Sequence, residues 1–325
     1  MTHLSPQAQP RRQPLVIGLL NNMGDAALRT TEEQFRDLLG RAIASYDMEL
    51  RLFSFPELIR SEAGAAYVAE HCQSIDTLWS SEVDALIVTG AEPRTPALPD
   101  EAYWPSLTRV VDWANECGIP TVWSCLAAHA AVLHLDGLER RRLGEKLSGV
   151  FRCRRVGDGS IATGLPASWH VPHSRLNALD ANRLSDAGYE IVSYSDEAGV
   201  DTFVRRQHTL FVFFQGHPEY DSGALFREYR RDVGRFLAGA VEQYPEMPRH
   251  YFDRETARLL NAFRDRAQGE RTPELLDEFP AVAMSDGRAS PWRDVSLSLY
   301  RNWLARAVER RSPVAVAGSA SDDPS

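Results

Sequence analysis

The feature that most constrains this chain is a regular alternation of short apolar runs with helix-patterned stretches in its first 135 residues. Leu15–Leu20 (Leu-Val-Ile-Gly-Leu-Leu) is continuously apolar, the pattern of a strand covered on both faces. Residues 28–44 then show helical spacing, with Phe35, Leu38, Leu39 and Ile43 on one side. Residues 48–55 alternate as a second strand, and helical stretches at 67–72 and 75–78 lead to a third apolar run at 83–90. That run ends in a glycine turn and the proline-rich loop 91–99. An amphipathic helix at 104–117 precedes a fourth strand, 119–124, which runs directly into an alanine-rich helix. Strands and helices alternating at this spacing predict an α/β fold, with a mostly parallel sheet flanked by helices. Loops that follow the strands of such a sheet gather at its carboxyl edge, where ligands bind. The loops carrying Asn21 and Asn22, Gly90 to Arg94, and Cys125 are expected to converge there.

Beyond Leu133 the pattern loosens. A strand-rich region begins at Glu145, with turns at Gly157 to Gly159 and at Gly164, and residues 171–176 read as a polar loop. Residues 189–193 and 202–205 suit strands, and 208–214 is strongly strand-like. A helix is expected over 222–237, and the last third carries mixed helical signals that include 296–308. Residues 1–13 read as a disordered leader and 312–325 as a disordered tail. Between them, 14–311 is expected to form one domain whose part from about 240 is helical.

Composition narrows the function classes. The 325 residues are 43% hydrophobic and 25% charged, as in ordinary globular domains, and the net charge of −9 argues against nucleic-acid or acidic-membrane partners. The four cysteines show no Cys-x-x-Cys spacing, so neither a zinc site nor a disulfide framework is indicated. No apolar run reaches the roughly 18 to 20 residues that a membrane span requires. With a polar, proline-bearing N-terminus, a cytoplasmic location is the default expectation.

Cys125 stands where the fourth strand meets its helix. The unpaired N–H groups and partial positive charge of a helix start suit a sulfur nucleophile and an oxyanion intermediate. The bland alternative is a buried structural cysteine. Gly216-His217-Pro218-Glu219 also follows a core strand, and a His two residues before a Glu suits a base with its orienting carboxylate. Alone it would read as an exposed turn, but two sites sharing one strand-end geometry point to a Cys125, His217 and Glu219 triad. His129, one turn beyond Cys125, is a rival base, disfavoured because no third group orients it.

Pro172-His173-Ser174-Arg175 offers polar groups suited to an amino-acid-sized substrate, or else a structural turn capped by Ser174. Lys146 and Arg231 could each hold a carboxylate or be solvated surface charges. Arg152 to Arg155 is a basic cluster that reads mainly as a solvated face, and no phosphate-cradling glycine motif is present.

The motifs in order, from Thr89-Gly90-Ala91 through Cys125, Glu145-Lys146-Leu147-Ser148-Gly149-Val150, Pro172 to Arg175, Gly216 to Asp221 and Glu228 to Asp232, and on to Trp292 and Asn302-Trp303, resemble the homoserine O-succinyltransferase family. That resemblance implies a fold similar to class I glutamine amidotransferases (flavodoxin-like) and ping-pong acyl transfer. Cys125 would take the acyl group from acyl-CoA, His217 would deprotonate the L-homoserine hydroxyl, and Glu219 would orient the imidazole. Lys146, Ser174 and Arg231 match the amino-acid-binding positions. No bound cofactor is implied, acyl-CoA being a co-substrate, and a homodimer is left open.

Three departures from the family pattern stand out. A lysine pair usual before the Glu-Thr-x-x-Gln-Phe motif is missing from the loop ahead of Phe35, where Arg29 is a substitute cation. Arg94 occupies the position that separates acyl donors, where it could pair with a succinyl carboxylate or narrow the pocket. The Trp and Gln expected beside the thiol are Leu126 and His129. Succinyl is favoured over acetyl; the alternatives are acylation of another hydroxy-amino acid such as serine, or glutamine hydrolysis.

Overall fold

A computed structural model of the chain describes residues 13–44, 46–157, 160–281 and 290–311. The expected leader, apart from Gln13, and the expected tail lie outside the described residues. Chain order runs β1 (Leu15–Leu20), α1 (Leu28–Ala42), β2 (Met48–Phe53), α2 (Glu62–His71), α3 (Ile75–Leu78), β3 (Ala85–Val88), α4 (Trp104–Glu116), β4 (Thr121–Ser124) and α5 (Leu126–Asp136). It continues through β5 (Arg141–Arg155), β6 (Ser168–Ala178), α6 (Ala181–Asp186), β7 (Glu190–Ile191), β8 (Ser193–Ser195), β9 (Gly199–Val200), β10 (Thr202–Arg206), β11 (Leu210–Phe214), α7 (Ala224–Leu237), α8 (Arg254–Gly269) and α9 (Arg293–Arg311).

The central sheet has the order β2-β1-β3-β4-β11-β10-β7. Pairing is parallel from β2 to β11, and the β10 and β7 edge is antiparallel. The expected mostly parallel α/β sheet is therefore present, with a helical C-terminal part. Side chains alternate between its faces as the pleat requires. Val16, Leu20, Phe53, Leu86, Val88 and Trp123 pack with α4 and α5 on one face. Leu15, Ile17, Leu19, Leu52, Ile87, Val122 and Phe214 pack with α1 and α9 on the other.

Burial on both faces is why these strands are unbroken apolar runs rather than polar–apolar alternations. The expected strand at 48–55 ends at Phe53, and the one at 83–90 is the shorter Ala85–Val88; both differences are at the ends, where pairing with β1 stops.

A second, antiparallel sheet has the order β6-β5-β8-β9. It corrects the reading of 171–176 as a polar loop, because that segment lies inside the edge strand β6 and pairs with β5. Its inward polar side chains find polar partners, so the alternation that marks a strand is hidden in the residue types. Pro172 is tolerated because an edge strand leaves one side of its backbone unpaired, and its carbonyl accepts from the His217 N–H at 2.8 Å.

The C-terminal helices tie down the site rather than extending away from it. The Trp292 indole donates to the Tyr220 carbonyl at 2.8 Å, and Tyr300 of α9 stacks on Phe214, the last residue of β11. The Asn302 amide reaches the carbonyls of Ile161 and Thr163 at 2.9 and 2.8 Å. α7 and α8 share their own small core, including Tyr229, Val233, Leu260 and Phe263.

Candidate active site

β4 and β11 are neighbouring parallel strands with Ser124 opposite Phe214, so the residues that follow each strand emerge side by side. The Cys125 N–H donates to the Phe214 carbonyl at 2.7 Å. This register brings Cys125 and His217 together although they are distant in sequence. Cys125 itself has φ 53° and ψ −110°, a backbone conformation that costs a non-glycine residue about 1–3 kcal/mol. The turn presents its side chain at the start of α5, whose first N–H groups have no intrahelical acceptor.

Close approach elsewhere holds the turn in place. A Cβ on Gly90 would sit 2.5 Å from the Leu126 Cβ, and one on Gly216 would sit 2.6 Å from both the Asp201 carboxylate and Val171. Only glycine fits at either position.

His217 is buried within electrostatic reach of Cys125, and its Nδ1 lies 2.8 Å from Glu219 Oε1. Its ring stacks on Tyr220 with centroids 4.2 Å apart. Burial alone would discharge this imidazole. The hydrogen-bonded Glu219 carboxylate and the Cys125 sulfur more than offset that and raise its pKa well above 6.5. The geometry is that of a base held between a thiol and an orienting carboxylate.

His129 is equally buried but has a neutral neighbour: its Nε2 lies 3.0 Å from Gln215 Oε1. Burial, reinforced by the positive charge of Arg175, pushes its pKa down to about 3, and its Nδ1 has no partner among the described residues. Gln215 is fully engaged, accepting from Leu179 N–H at 2.9 Å and donating to the Val200 carbonyl at 2.7 Å.

Lys146, Ser174 and Arg231 come together on one face of α7, where Glu228, Arg231 and Asp232 share a side of the helix. Lys146 Nζ bridges Asp232 Oδ2 at 2.6 Å and Glu228 Oε2 at 3.3 Å. The Ser174 hydroxyl donates to the same Glu228 oxygen, and Tyr220 OH donates to the other at 2.5 Å. Arg231 is half-exposed and donates from Nη2 to Asp232 Oδ1 at 3.1 Å. Burial opposes the Glu228 charge, but Lys146, His217 and the two hydroxyls hold its pKa below the usual carboxylate value. His217 and Tyr220 join this cluster to the Cys125 site.

Arg94 is arranged differently. Its main-chain N–H donates to the buried Glu101 at 2.6 Å, while its exposed guanidinium reaches the Ile59 carbonyl at 3.5 Å. Arg29 lies over the Tyr67 ring, 5.5 Å from its centroid. Several polar residues of the site carried no individual signal in the sequence. Tyr220 and Glu228 lay within recognised motifs but without a role, and nothing local set Arg140 apart from the charged residues around it. The His173 and Asp201 pair, buried with Nε2 and Oδ1 3.4 Å apart beneath Gly216, would require knowing which strands meet.

This arrangement, a cysteine on a strained strand-to-helix turn beside a His and Glu pair, agrees with what the chain is similar to. Residues 2–314 match the homoserine O-succinyltransferase family. The chain belongs to that family. It is 47% identical over 300 residues to a homoserine O-succinyltransferase of Rhodopseudomonas palustris, covering 92% of this chain and 90% of the relative. A homoserine O-succinyltransferase of Bradyrhizobium japonicum is 47% identical over 307 residues, covering 93% and 94%. One from Thiothrix nivea is 36% identical over 317 residues, covering 95% and 88%.

Among solved structures, a glutamine amidotransferase from Thermotoga maritima superposes with a TM-score of 0.51 at 15% identity, covering 92% of this chain and all of that one. This likeness concerns the fold alone. The family's members are acyltransferases, and the family pattern spans every element that builds the Cys125 site. Among the described residues, no helix is long and apolar enough to cross a membrane.

Proposed function

We propose that the chain transfers a succinyl group from succinyl-CoA to the hydroxyl of L-homoserine through a thioester on Cys125, a step of methionine biosynthesis. The observation that carries this reading is the Cys125, His217 and Glu219 constellation at the adjoining ends of β4 and β11, in a member of this family.

With its proton on His217, the Cys125 sulfur adds to the thioester carbonyl of the donor. The carbon–sulfur bond to CoA then breaks, and the departing thiolate takes the proton from His217. The N–H groups at the start of α5 stabilise the oxyanion of this step. In the second half-reaction the homoserine hydroxyl gives its proton to His217 as its oxygen attacks the Cys125 thioester. Collapse of that intermediate expels the Cys125 thiolate and restores the ion pair. Glu219 keeps the imidazole in one orientation and balances its charge in both halves.

The acceptor's amino-acid end is assigned to the α7 cluster, with its carboxylate toward Lys146 and Arg231 and its ammonium toward Glu228 and Asp232. Ser174 and Tyr220 orient Glu228 between this cluster and His217.

The test is turnover by the purified protein with succinyl-CoA or acetyl-CoA as donor, and L-homoserine, L-serine or water as acceptor. O-Succinylhomoserine as the main product supports the reading. Acylation of serine in preference to homoserine would redirect it to another hydroxy-amino acid. Release of ammonia from glutamine without acyl transfer would replace it with amidotransferase chemistry.

A further inference from the structure

Two arginines face Cys125 closely enough to interact with it electrostatically, Arg175 and Arg140, and they differ in what their nitrogens do. Arg175 is buried and fully committed: Nε points to His173 Nδ1 at 3.4 Å, Nη1 donates to the Asn177 carbonyl at 2.7 Å, and Nη2 donates to the Ala198 carbonyl. It is part of the scaffold.

Arg140, in the short connection between α5 and β5, is not. Its Nη1 is buried, and the guanidinium makes no hydrogen bond or ion pair with any of the described residues. Burial pushes its pKa down, as expected for a cation with no anion beside it. The carboxylate within its electrostatic reach, Glu101, has one oxygen engaged elsewhere and makes no ion pair with it. Glu101 Oε1 accepts from Arg94 N–H at 2.6 Å, from Thr95 N–H at 2.7 Å and from the Thr95 hydroxyl at 2.7 Å.

Tyr103 interacts with Arg140 and is itself buried, and its OH also lacks a partner among the described residues. Burial and the Glu101 charge push the Tyr103 pKa up, so its hydroxyl keeps its proton and can donate. A buried, unpaired guanidinium nitrogen and a buried, unpaired phenol next to each other, with Cys125 within electrostatic reach of the guanidinium, are costly to leave unsatisfied unless an anionic ligand joins them.

We propose that Arg140 and Tyr103 bind the distal carboxylate of a dicarboxylic acyl group while its other end is carried on Cys125. The inference rests on the acyl-transfer reading above and names the part of the site that selects the acyl donor. It gives this role to Arg140 rather than to Arg94, whose guanidinium is exposed and turned to the Ile59 carbonyl. The charge-assisted, two-pronged contact that a guanidinium offers a carboxylate is absent for an acetyl group.

The experiment measures acylation of Cys125 by intact-protein mass, and kcat/KM, for succinyl-CoA and acetyl-CoA in the native protein and in Arg140→Met, Arg140→Lys, Tyr103→Phe and Arg94→Ala. Thermal melting confirms that each is folded. Arg140→Met is expected to lose roughly 30- to 100-fold with succinyl-CoA, as on removing a charge-assisted hydrogen bond, with acetyl-CoA changed less than about 3-fold. Arg140→Lys should recover part of the loss, and Tyr103→Phe should show a smaller loss of the same selectivity.

An equal fall with both donors would overturn the proposal, because it would assign Arg140 to the CoA phosphates or the oxyanion they share. So would an unchanged donor ratio in Arg140→Met, or a selective loss of succinyl-CoA in Arg94→Ala. Should Arg140→Met fail to fold, the Arg140→Lys and Tyr103→Phe donor ratios decide by the same criteria. If the native protein accepts neither acyl group on Cys125, the acyl-transfer reading falls together with the inference; if it accepts succinyl without the Arg140 selectivity, only the inference does.

Discussion

On one side of Cys125 lies His217 and on the other, one helical turn along α5, lies His129; both are buried, yet their proton affinities move in opposite directions. His217 has a carboxylate on Nδ1 and the cysteine within electrostatic reach, and these overcome the cost of burying its charge. His129 has only the amide oxygen of Gln215 and the positive field of Arg175, so burial prevails and the ring stays neutral. Depth in the fold therefore does not decide which imidazole holds a proton. The charge of the partner does.

Five variants can break or sharpen this contrast. The largest effect is expected from His217→Asn, which keeps the bulk of the ring but removes the proton carrier. Turnover should fall on the order of 1,000- to 10,000-fold, while the same assay on His129→Asn should show a far smaller loss. A comparable loss in His129→Asn would reassign the base.

Next comes Glu219→Gln, in which the side-chain oxygen can still accept from His217 Nδ1 but the charge is gone. Turnover should fall on the order of 100-fold. The pH profile is more telling. Because Glu219 and Cys125 raise the His217 pKa, the native enzyme should stay active through neutral pH and decline only in a limb above it. In Glu219→Gln that limb should shift toward neutrality. The same sign applies to stability: the contribution of protonated His217 is complete below about pH 6.5 and is lost as pH rises through its folded-state value.

Ser174→Ala should act mainly on the acceptor, raising KM for homoserine about 10-fold with less change in KM for the acyl donor, since its hydroxyl orients Glu228. A donor-side effect would detach the α7 cluster from acceptor binding. The smallest effect is expected at neutral pH in His129→Gln, which retains a donor for Gln215 and should alter stability there by about 1 kcal/mol or less. Acid separates the two proteins. The His129 pKa is pushed down to about 3, so below pH 6.5 the unfolded chain gains a proton that the native state refuses, and stability falls with pH. At pH 5 this amounts to about 2 kcal/mol for a single histidine. Melting temperatures at pH 7 and 5 should therefore drop less for His129→Gln than for the native chain, and parallel drops would contradict the assignment.

How much of this could be read from the residues depends on whether a structural role leaves an apolar imprint. β1, β3, β4 and β11 were legible because strands buried on both faces must be apolar, and strand-end geometry pointed to Cys125 and His217. β6 was not, because its inward alternate positions include His173 and Arg175, while Ser174 turns the other way to Glu228, and each rests on polar partners contributed by other elements. Nothing local in 171–176 announces Asp201, Glu228 or the Ala198 carbonyl.

The same holds for the α7 cluster. Lys146, Ser174 and Arg231 were legible as candidates through motif order, but the carboxylates they converge on, Glu228 and Asp232, only acquire meaning once α7 is packed against β5 and β6. Arg140 is the extreme case. One of four consecutive charged residues at 139–142, it carries no local signal, and only the fold reveals that its guanidinium has no partner among the described residues.

The central claim, that Cys125 carries the acyl group, is tested most directly by intact mass and peptide mapping after incubation with succinyl-CoA in the absence of acceptor. The account predicts the addition of one succinyl group on the peptide containing Cys125, its disappearance on adding L-homoserine with O-succinylhomoserine formed in equal amount, and no adduct or turnover in Cys125→Ala. An acyl group on another residue, or turnover that survives Cys125→Ala, would contradict it.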